Sequence, residues 1–291
     1  MKKNKINVSV IIPTYHDWKR LKICINALSN QTYFDDCYEV IIVNNDPKDS
    51  PPNLNLPSNF RIISEIKSGS YAARNAGIKQ AEGEILAFTD SDCIPDNLWI
   101  ENAVKLLETG EERIAGHIEL FYRSEKLNVI EYYEKYFAFK QKKSAENGAS
   151  LTANLITWKR NFDAVGLFNE NLMSGGDNEW GWRATSQGIP IVYSENVIVK
   201  HPARYKLKQL LKKNRRVLGG KLDIHDEEKF SLTSFIRGFL PPIRKMKNVV
   251  QRFDIPIRMK ITLSLLLYLI KVHDYAYFIA LKLDLVDPQR V

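Results

Sequence analysis

The chain opens on short apolar runs set between polar turns and amphipathic stretches. Val8–Ile12 is β-branched and uninterrupted, the pattern of a strand buried on both faces of a parallel sheet. Trp18–Leu28 repeats Leu21, Ile25 and Leu28 at helical spacing and leaves Lys19, Arg20 and Lys22 outside. Val40–Val43 and Phe60–Ile63 read as two further strands, Tyr71–Ala81 as an Ala-rich helix broken at Gly83, and Ile85–Phe88 as the next strand. This alternation predicts a doubly wound α/β sheet, whose active residues gather at the carboxyl ends of the strands. Farther on, Trp99–Leu107 reads as a helix, Ile114–Phe121 as a strand and Leu127–Lys140 as an aromatic-rich helix. Gln141–Ser150 reads as a loop, Asp177–Ser186 as a helix, and Ile189–Tyr193 and Val197–Val199 as two short strands. Beyond His201-Pro202 the pattern turns helical and basic, which places a boundary between an α/β domain over 1–203 and a helical region over 204–291.

With 44% hydrophobic and 26% charged residues in 291, the chain is neither collagen-like, low-complexity nor wholly disordered. Three cysteines (Cys24, Cys37 and Cys93) follow no metal spacing and are odd in number, which excludes a disulfide scaffold and points to a reducing cytosol. The net charge of +8 is uneven: residues 203–260, from Lys206 through Arg237 to Lys260, hold 16 Lys and Arg against 5 Asp and Glu, and the rest is slightly acidic. Such a block suits nucleic acid, an anionic membrane surface or a phosphorylated substrate, and equally a solvated helical face. After the basic start Met1–Lys5, the apolar stretch Val8–Ile12 ends at Pro13, too short for a signal peptide. The longest apolar run, Ile261–Ile270, lies between Lys260 and Lys271, short of the ~20 residues a membrane span needs, so no spanning helix is expected.

Three segments and one histidine carry candidate chemistry. The strand Ile85–Phe88 runs into Thr89-Asp90-Ser91-Asp92, delivering two carboxylates two residues apart. Paired carboxylates are hard oxygen ligands suited to Mg²⁺ or Mn²⁺, although an Asp-x-Asp alone reads as readily as a turn that caps the next helix. In Gly69–Gly77, small residues suit close backbone approach and Arg74 has the reach to meet a diphosphate or a carboxylate. In Ser174–Arg183 a Gly pair hands over to an acidic helix start: Asp177 sits where an N-cap or a general base would stand. Trp180 and Trp182 offer a stacking platform for a sugar ring or simply core. His201 ends a strand and becomes a candidate metal ligand once the carboxylate site is granted.

Taken in order, these features resemble the family-2 glycosyltransferases, inverting nucleotide-sugar-dependent enzymes of the GT-A fold, over about residues 6–203. The resemblance rests on Val8–Tyr15, Tyr38–Asn45, Ala73-Arg74-Asn75-x-Gly77, Phe88–Asp92 and Asp177-x-Glu179 with Arg183. It implies a Rossmann-like, mostly parallel sheet flanked by helices, followed here by a helical basic extension. It implies that Pro13, Thr14 and Tyr15 line the nucleobase pocket and that Asn44 and Asn45 stand where the family usually carries uracil-contacting Asp residues. An amide donates as well as accepts, so that exchange leaves the base open. Arg74, Asp90 and Ser91 would then meet the nucleotide-sugar, Asp92 with His201 would hold Mn²⁺ or Mg²⁺, and Asp177 would be the base. Glu179, Trp180 and Arg183 would lie on the acceptor side. The family's usual Glu before that Asp is Gly176 here, and the Gln-x-x-Arg-Trp motif of its processive synthases does not occur, so transfer of one sugar or a few is expected.

The expected partners are a UDP-linked sugar and a glycan or lipid-linked acceptor in cell-envelope polysaccharide assembly. The expected location is cytoplasmic, with the basic block and Ile261–Ile270 attaching the chain peripherally to the inner membrane face. Two rival readings are a sugar nucleotidyltransferase and a nucleic-acid-binding protein. The first lacks its Gly-rich basic loop after the first strand, where Pro13-Thr14-Tyr15 stands, and the second leaves the Asp-x-Asp and Gly-Gly-Asp unexplained, so no nucleic acid partner is expected.

Overall fold

The computed structural model describes residues 6–224, 238–283 and 285–286; Arg237 of the basic block and the first five residues lie outside them. The chain forms two compact units, one of residues 1–121, 139–172 and 176–202, the other of 122–138, 173–175 and 203–291.

The first unit is built on one eight-stranded sheet of order β3-β2-β1-β4-β7-β6-β8-β5. Its left half is parallel: β1 (Val8–Thr14) lies between β2 (Tyr38–Asn44) and β4 (Ile85–Phe88), with β3 (Phe60–Ser64) outside β2. The uninterrupted apolar runs are buried from both sides, as such strands must be. Helices α1 (Trp18–Leu28), α2 (Ser70–Gln80) and α3 (Trp99–Glu108) follow three of the strands. Gly77 lets α2 lie against β1, since a Cβ there would stand 2.6 Å from Ile11 Cγ2. Because β1, β2 and β4 run the same way, Thr14, Asn44 and Phe88 end on one edge, and the residues after them share it.

The right half is mixed. β7 (Leu155–Trp158) runs antiparallel to β4 and to β6 (Arg113–Phe121), while β8 (Val192–Pro202) runs parallel to β6 and pairs antiparallel with the short β5 (Ile94–Pro95). The two short strands read from the sequence are one: the register jumps at Gly116/His117, and the polar Ser194-Glu195-Asn196 form the irregularity between its apolar ends. The segment read as a loop after Lys140 carries helix α5 (Gln141–Glu146), too short to show a period; the buried Gln141 holds it through bonds to Ser150, Leu151 and Asn154. Helices α6 (Lys159–Val165) and α7 (Gly176–Ser186) complete the unit.

Arg113, fully buried, positions α7. Its guanidinium donates to the carbonyls of Gly148, Gly181, Ile189 and Pro190 and to Thr185 Oγ1, at 2.6–3.4 Å. No carboxylate is among these partners, and burial lowers its pKa to about 10.

The second unit is helical: α4 (Val129–Phe137), α8 (Leu207–Ile224), α9 (Ile243–Val250) and α10 (Ile257–Lys282). Ile130, Leu210, Val249, Leu263, Leu266, Leu267 and Ile270 form its core. A capping box starts α4: Asn128 accepts from the Ile130 and Glu131 amides while Glu131 Oε2 accepts from the Asn128 amide. Glu134, fully buried, accepts from Arg204 at 2.8 Å and lies 3.7 Å from Lys213 Nζ. The sequence reading ended the apolar run at Lys271, but a lysine does not end a helix, and α10 runs on to Lys282, 26 residues in all. By length and composition alone it is long and apolar enough to cross a membrane, which corrects the expectation that no helix meets that requirement.

Candidate functional site

The shared edge of β1, β2 and β4 collects the carboxylates. Asp90 and Asp92 follow β4 directly, with an oxygen of each, Cys93 Sγ and a ring nitrogen of His201 within 4.8 Å of one another. His201 reaches this point near the end of β8, and its Nδ1 lies 2.9 Å from the Pro202 carbonyl. That carbonyl can only accept, so Nδ1 carries a hydrogen, and Nε2 faces Asp92 Oδ1 at 3.6 Å. Phe139, held at a φ of 42°, tilts over the imidazole at 4.3 Å. Burial and the adjacent Asp90 and Asp92 push the Cys93 thiol well up, so it stays protonated. Two carboxylates and an imidazole remain, a donor set that fits Mn²⁺ or Mg²⁺.

Cationic side chains already address these carboxylates. Arg20 Nη1 donates to Asp92 Oδ2 at 2.9 Å and its Nε to Asp17 Oδ1 at 2.8 Å, while Ser91 Oγ donates to Asp17 Oδ2 at 3.1 Å. Arg74, buried on α2, donates through Nη2 to Asp90 Oδ1. Its Nε, and the hydroxyls of Thr14 and Thr89 at the ends of β1 and β4, are buried without a hydrogen-bond partner. Such orphans are rare in folded proteins and concentrate where a ligand completes the bonding.

Asp177 lies in the first turn of α7, nearly buried. Its Oδ1 accepts from the Asn178 amide at 3.0 Å and the Tyr71 hydroxyl at 3.2 Å, and its Oδ2 from the Thr152 amide at 3.4 Å. Burial pushes its pKa above the ordinary Asp value, against the opposing pull of Arg74 and these bonds. Tyr71 and Arg74, one turn apart on α2, thus link Asp177 to Asp90.

The remaining sequence candidates divide. Pro13 and Thr14 lie inside β1, and Tyr15 is exposed just beyond. Asn44 bonds the Asp49 carbonyl and the Asp46 amide; Asn45 bonds the Glu65 and Lys67 carbonyls and the Gly69 amide. Both amides therefore hold their own loops. Trp180 takes the core reading: it is fully buried, stacked on Phe162 at 4.2 Å, with its indole N–H on the Gly166 carbonyl. Arg183 pairs with Glu179 at 2.6 Å and donates to the carbonyls of Val165 and Leu167, so this pair clips the loop before α7. Trp182 is the exposed indole.

Sequence reasoning missed Asp17, Arg20, Tyr71, Thr152 and His16. His16, at a φ of 51°, bridges Asp46 and Asp49 at 3.0 and 3.1 Å beside Tyr15. A left-handed non-glycine after a strand is the sort of strain that marks functional turns. An open cavity of about 320 Å³ is lined by His117, Phe139, Lys140, Lys142 and Tyr193 among others, so the ring that tilts over His201 also borders this cavity.

Comparison with known proteins decides the family. The family model described as "Glycosyl transferase family 2" matches residues 9–154. The glycosyltransferase AglE of Haloferax volcanii is 35% identical over 249 residues, covering 80% of this chain and 81% of that protein. The chain belongs to glycosyl transferase family 2. Among solved structures, the mannosyltransferase PcManGT of Pyrobaculum calidifontis, in complex with GDP-Man and Mn²⁺, superposes with a TM-score of 0.58 at 15% identity over 96% of this chain and 86% of that one. S. aureus TarS in complex with UDP-GlcNAc gives 0.56 at 16% identity over 96% and 92%. These likenesses show that this family-2 glycosyltransferase has the GT-A fold, as its sequence motifs implied.

Proposed function

We propose that this glycosyltransferase moves a sugar from a nucleotide diphosphate donor, UDP-linked, to a hydroxyl of a glycan or lipid-linked acceptor, inverting the anomeric centre. The observation that carries the reading is Asp177: a carboxylate at a helix start, held by Tyr71 and Thr152, with its pKa raised by burial and linked through α2 to the paired carboxylates. Asp177 accepts the acceptor hydroxyl's proton as that oxygen bonds to the anomeric carbon and the diphosphate oxygen leaves with the old bond's electrons. A single displacement of this kind inverts the carbon. A carboxylate is a weak base for a sugar hydroxyl, so the proton moves late, and burial narrows the mismatch.

Asp92, His201 and Asp90 would hold Mn²⁺ or Mg²⁺, which when bound neutralises charge on the leaving diphosphate. The unpartnered Arg74 Nε would meet the same diphosphate. UDP as carrier draws support from the UDP-GlcNAc complex of TarS, whereas the PcManGT complex holds GDP-Man. With Asn44 and Asn45 bonded to their own loops, the base would be read at the turn of Tyr15 and His16. The place of action is the cytoplasm, where nucleotide-sugars are made.

The deciding experiment is a screen of nucleotide-sugars for metal-dependent hydrolysis and transfer, paired with Asp177→Asn. The variant should lose about 10²–10⁴-fold in kcat while UDP with Mn²⁺ still raises its Tm. Near-wild-type turnover by the folded variant would end the base assignment, and stabilisation by GDP rather than UDP would move the donor to the other base.

A further inference from the structure

We propose that one edge of the second unit, formed by the turn before α10 and one side of that helix, is a membrane-docking surface that lies in the headgroup boundary of an anionic bilayer. The folded chain divides the apolar run of α10 in two. Leu263, Leu266, Leu267 and Ile270 are buried in the unit's own core. Ile257, Ile261, Leu265 and Leu269, four residues apart and therefore on one side, stay 71, 66, 55 and 54% exposed. Just before them Phe253 is fully exposed, and Leu240, Ile243 and Val250 are more than half exposed. Soluble surfaces carry such residues singly; a file of them marks an interaction site.

Charge names the partner. Residues 238–272 contain seven Lys and Arg and one acidic residue, Asp254. Lys135 and Tyr136 both donate to that carboxylate. Arg244, Lys247 and Arg258 are exposed, with no carboxylate pairing them among the described residues. Apolar side chains beside unpaired cations suit the boundary between acyl chains and anionic headgroups, where a helix lies in plane with its apolar side sunk. A second copy of this chain is a poorer fit, because a two-fold contact would set the same cations against each other. Nor does the helix suit a span: Asp274 accepts from Asn214 of α8 at 2.8 Å and His273 meets Arg215 at 3.2 Å, so its polar groups are spent within the unit.

The test is flotation of the full chain with phosphatidylcholine vesicles, with and without phosphatidylglycerol. The protein should float with the anionic vesicles and be released by high salt. Arg244→Gln/Lys247→Gln/Arg258→Gln should weaken partition by about 100-fold. Phe253→Ser and Ile261→Asn/Leu265→Asn should each weaken it by about tenfold or more. All three change exposed residues of the second unit, none of them among the carboxylate-site residues, so the Tm and the shift produced by UDP with Mn²⁺ should match wild type. Those readouts also keep the outcome separate from the donor reading, on which this inference does not depend. Wild-type protein left in solution, equal binding to neutral vesicles, or release by detergent alone would overturn it. So would stripe variants that float as wild type or that convert a dimer to a monomer.

Discussion

At Asp177, the proposed base, burial outweighs Arg74 and three hydrogen bonds in setting how readily the carboxyl ionises. Its pKa is raised, so it must lose its proton before it can act as base, and activity should fall as pH drops through that raised value. The acid limb of kcat/KM should therefore lie above the ordinary Asp value of ~3.9, and Tyr71→Phe, which removes a bond to the ionised form, should move it higher still. A limb at the ordinary value would contradict a buried base. At the paired carboxylates, Asp92→Ala should abolish the Mn²⁺-dependent part of UDP binding in a thermal-shift titration and His201→Ala should weaken it; unchanged Mn²⁺ dependence in the latter would leave His201 a structural residue. The carboxylates were legible in the sequence because their chemistry is local: two residues apart at a strand end, or one residue after a Gly pair. Their partners were not. Arg20 reaches Asp92 across 72 positions and Tyr71 reaches Asp177 across 106, distances in sequence that only the sheet's topology closes. Arg20 read as one more cation on a solvated helix face.

Among elements, the parallel strands β1 and β2 declared themselves through unbroken β-branched runs, whereas the antiparallel β7 did not. Leu155-Ile156-Thr157-Trp158 is four residues long with no Gly or Pro directly on either flank, and it is recognisable only by pairing with β4 and β6. Two elements depend on close fits that the sequence shows merely as single letters. Gly83 leaves no room for a side chain, since a Cβ there would stand 2.6 Å from the Ser9 amide nitrogen, a backbone atom that cannot swing aside. Gly83→Ala should cost about 2–3 kcal/mol, read as a lower urea midpoint at unchanged m. Arg113 is a lone basic residue at the start of a strand, yet its guanidinium ties α7 to two loops, at Gly148 and at Ile189-Pro190. Lysine keeps the charge but not the planar set of donors, so Arg113→Lys should cost about 3 kcal/mol and raise KM or lower kcat through a displaced Asp177.

On the scale of the whole molecule, the second unit is discontinuous: α4 lies far up the chain from α8, α9 and α10, yet shares their core. The aromatic residues of α4 suit a sheet as well as a helical partner, so nothing in their pattern told which they meet. Glu134 ties the unit together, and Glu134→Gln, which leaves Arg204 and Lys213 without their counter-charge, should cost about 2–3 kcal/mol in thermal unfolding. The same connectivity sets an order of events during synthesis. α4 leaves the ribosome well before Leu210, and longer still before Leu263 and Ile270, the residues that cover Ile130. Through that interval its apolar side has nothing of its own chain to rest on. A nascent chain arrested near Pro202 should therefore recruit holding chaperones that the finished protein no longer binds, and a stop just before α10 would still leave Ile130 of α4 without Leu263, Leu266, Leu267 and Ile270.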